Sequence, residues 1–140
     1  MKVIYCSKYW PIFWLGAWGV TLYPYIFLRK ELIDWPEGSI DSMLVHERVH
    51  LEQQRQSNLL WWLFKYIFIP SFRLKMETEA YLTEFRYCYN LALSGTKVSL
   101  DPEVWAKRMT GVGYLWMISY PEAYALFHKE YWALRGQPVV

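Results

Sequence analysis

At 140 residues the chain has the size of one domain, long enough to bury a core without disulfide staples. Fifteen Lys and Arg stand against thirteen Asp and Glu, a net charge of +2 with no basic run, which excludes the electrostatic footprint of a nucleic-acid binder. Hydrophobic residues make up 54% and aromatic residues 20%, so the chain either packs an aromatic-dense core or offers apolar surface to a partner or lipid.

Val3 to Cys6 reads as a first strand. Lys2 is followed by only four apolar residues before Ser7 and Lys8, with no small-x-small site after them. A secretory leader is therefore not expected, and cytoplasmic residence is the default, with peripheral membrane contact left open. The apolar stretch Trp10 to Leu28 is interrupted by Pro11, Gly16, Gly19, Thr21 and Pro24 and is rich in aromatic and β-branched residues, which suits extended structure better than a spanning helix. Within it, Val20 to Leu28 reads as a second strand with Thr21, Tyr23, Tyr25 and Phe27 at alternate positions, and Pro24 marks an edge or bulge. The two strands predict a small antiparallel sheet.

Turn residues cluster from Asp34 to Ser39, and side-chain oxygens at Ser39 to Asp41 are placed to cap a helix start. From Met43 to about Asn58 no Gly or Pro intervenes, and His46, Val49, His50, Gln53 and Ser57 share one helix face. Leu59 to Ile69 is an apolar run broken only by Lys65 and closed by Pro70, too short to cross a bilayer and suited to a buried or interfacial helix packed under the preceding one. A third helix runs from Pro70-Ser71 to about Leu93 and ends at Ser94-Gly95. Asp101-Pro102 opens a fourth toward Met109, broken by Gly111 and Gly113, and Tyr120-Pro121-Glu122 opens a last one through about Leu134 before Gly136. Residues 1–140 are thus expected to form a single α+β domain, mostly helical, with its small antiparallel sheet ahead of the helix that starts near Ser39 to Asp41. Cys6 and Cys88 are isolated, as expected of buried reduced thiols.

The stretch His46-Glu47-Arg48-Val49-His50 carries the chemistry. On a helix, residues four apart share a face, so both imidazoles can reach one ion about 2.0–2.1 Å away, while Glu47 is rotated to the side. Two imidazoles hold zinc poorly, and a catalytic site needs a third protein ligand with the fourth position kept for water. The remaining candidates are His128 and, on the third helix, Glu77 and Glu79. A downstream glutamate is the better candidate, and because these two are about 200° apart around the helix only one of them can face the metal. His128, beside Lys129 and Glu130, reads as a solvated helix residue.

HExxH followed by Glu77-Thr78-Glu79-Ala80 resembles the gluzincin zinc peptidases, in which a glutamate from a following helix completes the site within a Glu-x-x-Ala-Asp or Glu-x-x-Ala-Asn string. The resemblance implies Glu77 as the ligand, with Glu79 in reserve, and it places Tyr81 where the family commonly has the Asp or Asn that supports a ligand histidine. The chain is also similar to small bacterial and phage proteins of uncharacterised function. These carry a Thr-Leu-aromatic-Pro-aromatic-Ile-Phe-Leu-Arg strand, then HExxH with Gln-Gln, then Glu-x-Glu-Ala-Tyr, matching Thr21 to Arg29, His46 to Gln54 and Glu77 to Tyr81. This similarity covers roughly residues 20–85 and implies a minimal gluzincin-like fold, leaving the C-terminal third unexplained.

Zinc held by His46, His50 and Glu77 lowers the pKa of a bound water toward about 7, and Glu47 is placed to take its proton as general base. The expectation is a zinc-dependent hydrolase, by family a peptidase acting on a peptide or protein. In many such peptidases the substrate pairs with the sheet edge beside the active helix, here the strand near Thr21 to Phe27. The competing reading is a non-catalytic protein that keeps the metal to knit its fold and meets a partner or membrane through its aromatic surface. An oxyanion donor is not selected by spacing among the tyrosines, His128 and Arg73, and nothing in the sequence fixes substrate specificity or oligomeric state.

Overall fold

The computed structural model describes residues 1–11, 17–35, 38–111, 114–115 and 117–136. Positions 12–16 of the apolar stretch, 36–37 of the expected turn and Gly113 of the expected helix break lie outside the described residues.

Three strands come first: β1 (Lys2–Cys6), β2 (Gly19–Leu22) and β3 (Tyr25–Arg29). β3 lies in the middle, antiparallel to β2, with Thr21 opposite Ile26, and parallel to β1, with Ile4 opposite Phe27. Two expectations are corrected here. Val20 to Leu28 is not one strand but a hairpin, because Pro24 cannot donate to a ladder and sits in the turn where the chain reverses. That reversal brings β3 back between its neighbours in the direction of β1, so the sheet is mixed rather than antiparallel throughout.

Alternation on β3 buries Ile26 and Leu28 completely. With Leu32, from a 3-10 turn at Lys30–Asp34, they pack on Ile40, Met43, Leu44 and Leu51 of helix α1 (Ser39–Arg55). Full burial of such a side chain is worth about 1.5–3 kcal/mol, and this cluster is what fastens the sheet to α1. The start of α1 also departs from expectation. Among the described residues no side chain caps it, and the chain enters through Gly38 at φ +87°, a left-handed conformation that Gly adopts without the steric cost a Cβ would bring. Asp41 in the first turn still complements the helix dipole.

Helix α2 (Leu59–Phe68) is capped by the Asn58 side chain, which accepts from the Trp61 N–H at 3.1 Å. Helix α3 (Pro70–Leu93) begins with proline in its first turn and ends, as expected, before Gly95 at φ +92°. Helix α4 (Pro102–Met109) is capped by Asp101, and at α5 (Tyr120–Leu134) the Glu122 carboxylate reaches back to the Ser119 N–H at 3.0 Å. Tyr81, Phe85 and Cys88 of α3, Trp105, Ala106 and Met109 of α4, and Ala123 and Phe127 of α5 form a second apolar core. The protein therefore has one core on the sheet side of α1 and another beyond α3, and the seam between those two helices is polar. No helix among the described residues is long and apolar enough to cross a membrane.

Candidate metal centre

The seam is polar because α1 and α3 turn their titratable faces toward each other. His46 and His50, one turn apart on α1, bring their Nε2 atoms to 3.2 Å. Glu77 of α3 enters from the other side, with Oε1 at 3.2 Å from His50 Nε2 and Oε2 at 3.4 Å from His46 Nε2. All three residues are buried, at 4%, 6% and 1% exposure, and one ligand atom from each lies within 4.8 Å of the others. This buried His-His-Glu group could hold a metal ion. The fit is supported by Glu77 Oε2, which is sealed from solvent and among the described residues has no hydrogen-bond partner, an arrangement that costs free energy unless a cation meets it.

Each ligand is braced from behind. The Nδ1 of His46 lies 3.2 Å from Glu84 Oε2, and the other carboxylate oxygen of Glu84 accepts from Arg108 Nη2 at 2.8 Å. The Nδ1 of His50 lies 3.0 Å from the carbonyl oxygen of Gln53, whose amide donates to Glu79 Oε2 at 2.9 Å and to the Met76 carbonyl at 3.2 Å. Because both rings face acceptors through Nδ1, both carry their proton there when neutral and turn an Nε2 lone pair toward Glu77. The Tyr66 hydroxyl, from α2, donates to Glu77 Oε1.

The electrostatics follow from close packing of opposite charges. Burial pulls the His46 pKa down, but the carboxylates of Glu77 and Glu84 facing its two ring nitrogens outweigh it and push it up to about 10. His50 is raised against the same burial by the charge of Glu77. Burial opposes ionisation of Glu77 too, yet the two histidines hold its carboxyl well below the usual carboxylate range. Glu84 is likewise lowered, against burial, by His46 and Arg108.

Glu47, between the two histidines in sequence, is 4% exposed and does not join the ligand group. Its Oε2 accepts from the Thr21 hydroxyl of β2 at 2.8 Å, and the backbone of Gly19 lies so close that a Cβ there would sit 2.6 Å from Glu47 Oε1. Burial raises the Glu47 pKa above the ordinary carboxylate value, against the pull of His46 and His50.

Other expected residues fall outside the centre. Glu79 is exposed and occupied by Gln53, so of the two glutamates Glu77 faces the histidines. His128 accepts from Trp132 Nε1 at 3.0 Å on α5. Arg73 is buried and spends its guanidinium on the carbonyls of Tyr66, Ile67 and Tyr114. Tyr81 presses its ring edge-on against His46, 4.6 Å between centroids, and its hydroxyl meets Tyr114 and the Arg108 carbonyl. The support that a carboxylate would give from position 81 comes from Glu84, one turn further along.

Glu84, Tyr66, Gln53, Arg108, Thr21 and Gly19 are the residues that motif reading missed. Two of them leave a sequence signal: Glu84, seven residues after Glu77, returns to the same helix face, and Gln53 follows His50 by three on the face of the two histidines. The β2 edge is also less open than expected. The Gln54 side chain accepts from the Tyr23 N–H at 2.8 Å and donates to the Thr21 carbonyl at 2.9 Å, taking both backbone groups that a pairing strand would use there.

Compared with family models, with curated proteins and with solved structures, the chain matches none.

Proposed function

We propose that the protein is a zinc-dependent hydrolase acting on peptide bonds, a minimal relative of the gluzincins, with His46, His50 and Glu77 as ligands and Glu47 as general base. The observation that carries the reading is the spacing of the three donors. Two ligands each about 2.0–2.1 Å from one tetrahedrally coordinated ion lie about 3.3 Å apart. The closest separations are 3.2 Å between the two Nε2 atoms, 3.2 Å from His50 Nε2 to Glu77 Oε1 and 3.4 Å from His46 Nε2 to Glu77 Oε2, so the carboxylate faces the pair with both oxygens. Two imidazoles and one carboxylate form the ligand set of hydrolytic zinc, with one position left over for solvent or substrate.

When bound, zinc supplies Lewis acidity and brings the pKa of water toward neutrality. The rest falls to the chain. Glu84 and Gln53 fix the tautomers and ring orientations of His46 and His50, and Tyr66 orients Glu77. Thr21 and Gly19 hold Glu47 in one rotamer, where its raised pKa suits it to accept a proton from the attacking nucleophile and return it to the departing amine.

The test combines metal content with turnover on a peptide library. Wild-type protein is expected to bind one zinc and cleave. Glu47→Gln keeps the zinc and loses cleavage, His46→Ala and Glu77→Ala lose the zinc, and Glu79→Ala retains both. Undiminished turnover by Glu47→Gln would overturn the mechanism.

Near-complete burial of the ligand group favours a second reading, in which the ion knits α1 to α3 and no substrate reaches it. Chelation would then unfold the protein, and no library member would be cleaved.

A further inference from the structure

Helix α2 has two apolar faces, and only one of them is used inside the molecule. Trp62 and Tyr66 point inward, with the Trp62 ring 6.1 Å from His50 and Tyr66 bonded to Glu77. Leu60, Trp61, Phe64, Ile67 and Phe68 point outward, Trp61 at 55% exposure and Phe68 at 66%. At 100° per residue these five positions fall within a stripe about 120° wide. Trp61 stacks on Phe64, and Phe68 lies tilted against Phe64 at 5.1 Å between centroids, so the stripe is a continuous aromatic surface that Ile69 extends.

Charge along α2 and the first turns of α3 is of one sign. From Ser57 to Met76 the sequence carries Lys65, Arg73 and Lys75 and no carboxylate. Arg73 is spent inside, but among the described residues Lys65 and Lys75 enter no ion pair, and they border one groove beside α2. The carboxylates of that groove are engaged, Glu52 by Arg55 at 2.7 Å and Glu79 by the Gln53 amide at 2.9 Å. The Lys65 ammonium sits over the Phe72 ring, 4.4 Å from its centroid, and 5.8 Å from that of Trp61 in the stripe.

We propose that the outer face of α2 docks on the surface of an anionic lipid bilayer, with Leu60, Trp61, Phe64, Ile67 and Phe68 among the acyl chains and Lys65 and Lys75 at the headgroups. Ten residues span about 15 Å, half a bilayer core, so the helix lies in the interface and does not cross it. Tryptophan and phenylalanine with flanking lysine are the composition that this depth selects. A second copy of the chain would bury the apolar stripe equally well but would bring no carboxylate of the same segment to Lys65 and Lys75, since Ser57 to Met76 carries none. Docking on lipid relieves that charge and sets the bilayer about one helix diameter, on the order of 10 Å, from Glu77.

The proposal stands apart from the hydrolase reading and is tested without turnover, by flotation of the full chain with phosphatidylcholine vesicles and with the same vesicles containing phosphatidylglycerol. Wild-type protein is expected to float with the phosphatidylglycerol vesicles, and less so as salt is raised. The triple variant Trp61→Ser, Phe64→Ser, Phe68→Ser changes only exposed side chains and is expected to bind at least about tenfold more weakly. Lys65→Glu with Lys75→Glu is expected to abolish the preference for anionic vesicles. Circular dichroism and zinc content, unchanged in both, show that the fold survives. Wild-type protein left at the bottom of the gradient with both vesicles overturns the proposal, as does undiminished flotation of the triple variant. Sedimentation as a dimer that only the triple variant dissolves, with no flotation, assigns the face to a second copy and also overturns it.

Discussion

Glu84→Gln separates the metal centre from its support. The substitution keeps the shape of a fully buried side chain that joins His46 Nδ1 to Arg108 Nη2. Glutamine has one carbonyl oxygen, so it can accept from the imidazole or from the guanidinium, and whichever partner is left faces an amide N–H. A hydrogen bond to a charged group is worth about 1.5–3 kcal/mol. Loss of a partner behind a metal-binding histidine weakens affinity about 10–100-fold, which is about 1.4–2.7 kcal/mol, so the two routes agree. The Arg108 side chain is 35% exposed, and solvent there offsets part of the loss, leaving about 1 kcal/mol as the expected destabilisation of the metal-free protein. Competition for zinc against a chromophoric chelator measures the affinity, and urea unfolding of chelated protein measures the stability. Zinc affinity within about twofold of wild type in a variant that unfolds like wild type would refute the assignment of Glu84 as the group that orients His46.

Gly19→Ala places a methyl group 2.6 Å from Glu47 Oε1, so peptide cleavage is expected to fall more than about tenfold while zinc content stays at wild-type level. Equal loss of both would show that the strand supports the ligands rather than the base. Tyr66→Phe removes the donor to Glu77 and keeps the ring on Trp62, and urea unfolding of the metal-free protein is expected to show a loss of about 1–3 kcal/mol. Cys6 and Cys88 are free and buried, and burial pushes the Cys88 thiol up to about 11. An aromatic disulfide reagent at pH 8 is therefore expected to titrate neither thiol in native protein and both in denaturant, and rapid native labelling of Cys88 would contradict the packing around it.

What the sequence made legible was periodic or punctuated. The uninterrupted helix around His46 and His50, the start of α3 at Pro70 and its stop at Gly95, and the return of an acidic residue on a second helix all follow from rules that act within a few residues. The sheet was less legible because alternation does not say where a strand folds back. Val20 to Leu28 alternates across the hairpin turn as though it were continuous, and the parallel pairing of β1 with β3 appears only once that turn is placed. The bracing of the ligands was hidden for a different reason. Tyr66 reaches the centre from α2 and Arg108 from α4, so each depends on how separate helices pack, whereas Gln53 braces His50 from within α1. Tyr66 in particular sits in a run that reads as uniformly greasy, and nothing local distinguishes its hydroxyl from those of eleven other tyrosines.

The carboxamide of Gln54 has a consequence for how the protein behaves in a crowd. An exposed strand border is a template on which foreign chains can grow, and many proteins protect theirs with a bulge or a charge. Here one neutral side chain from α1 imitates a peptide unit and occupies the template at Thr21 and Tyr23. Shortening it would unmask two adjacent backbone groups on the outermost ribbon, turning a sealed margin into a seed for fibrillar association.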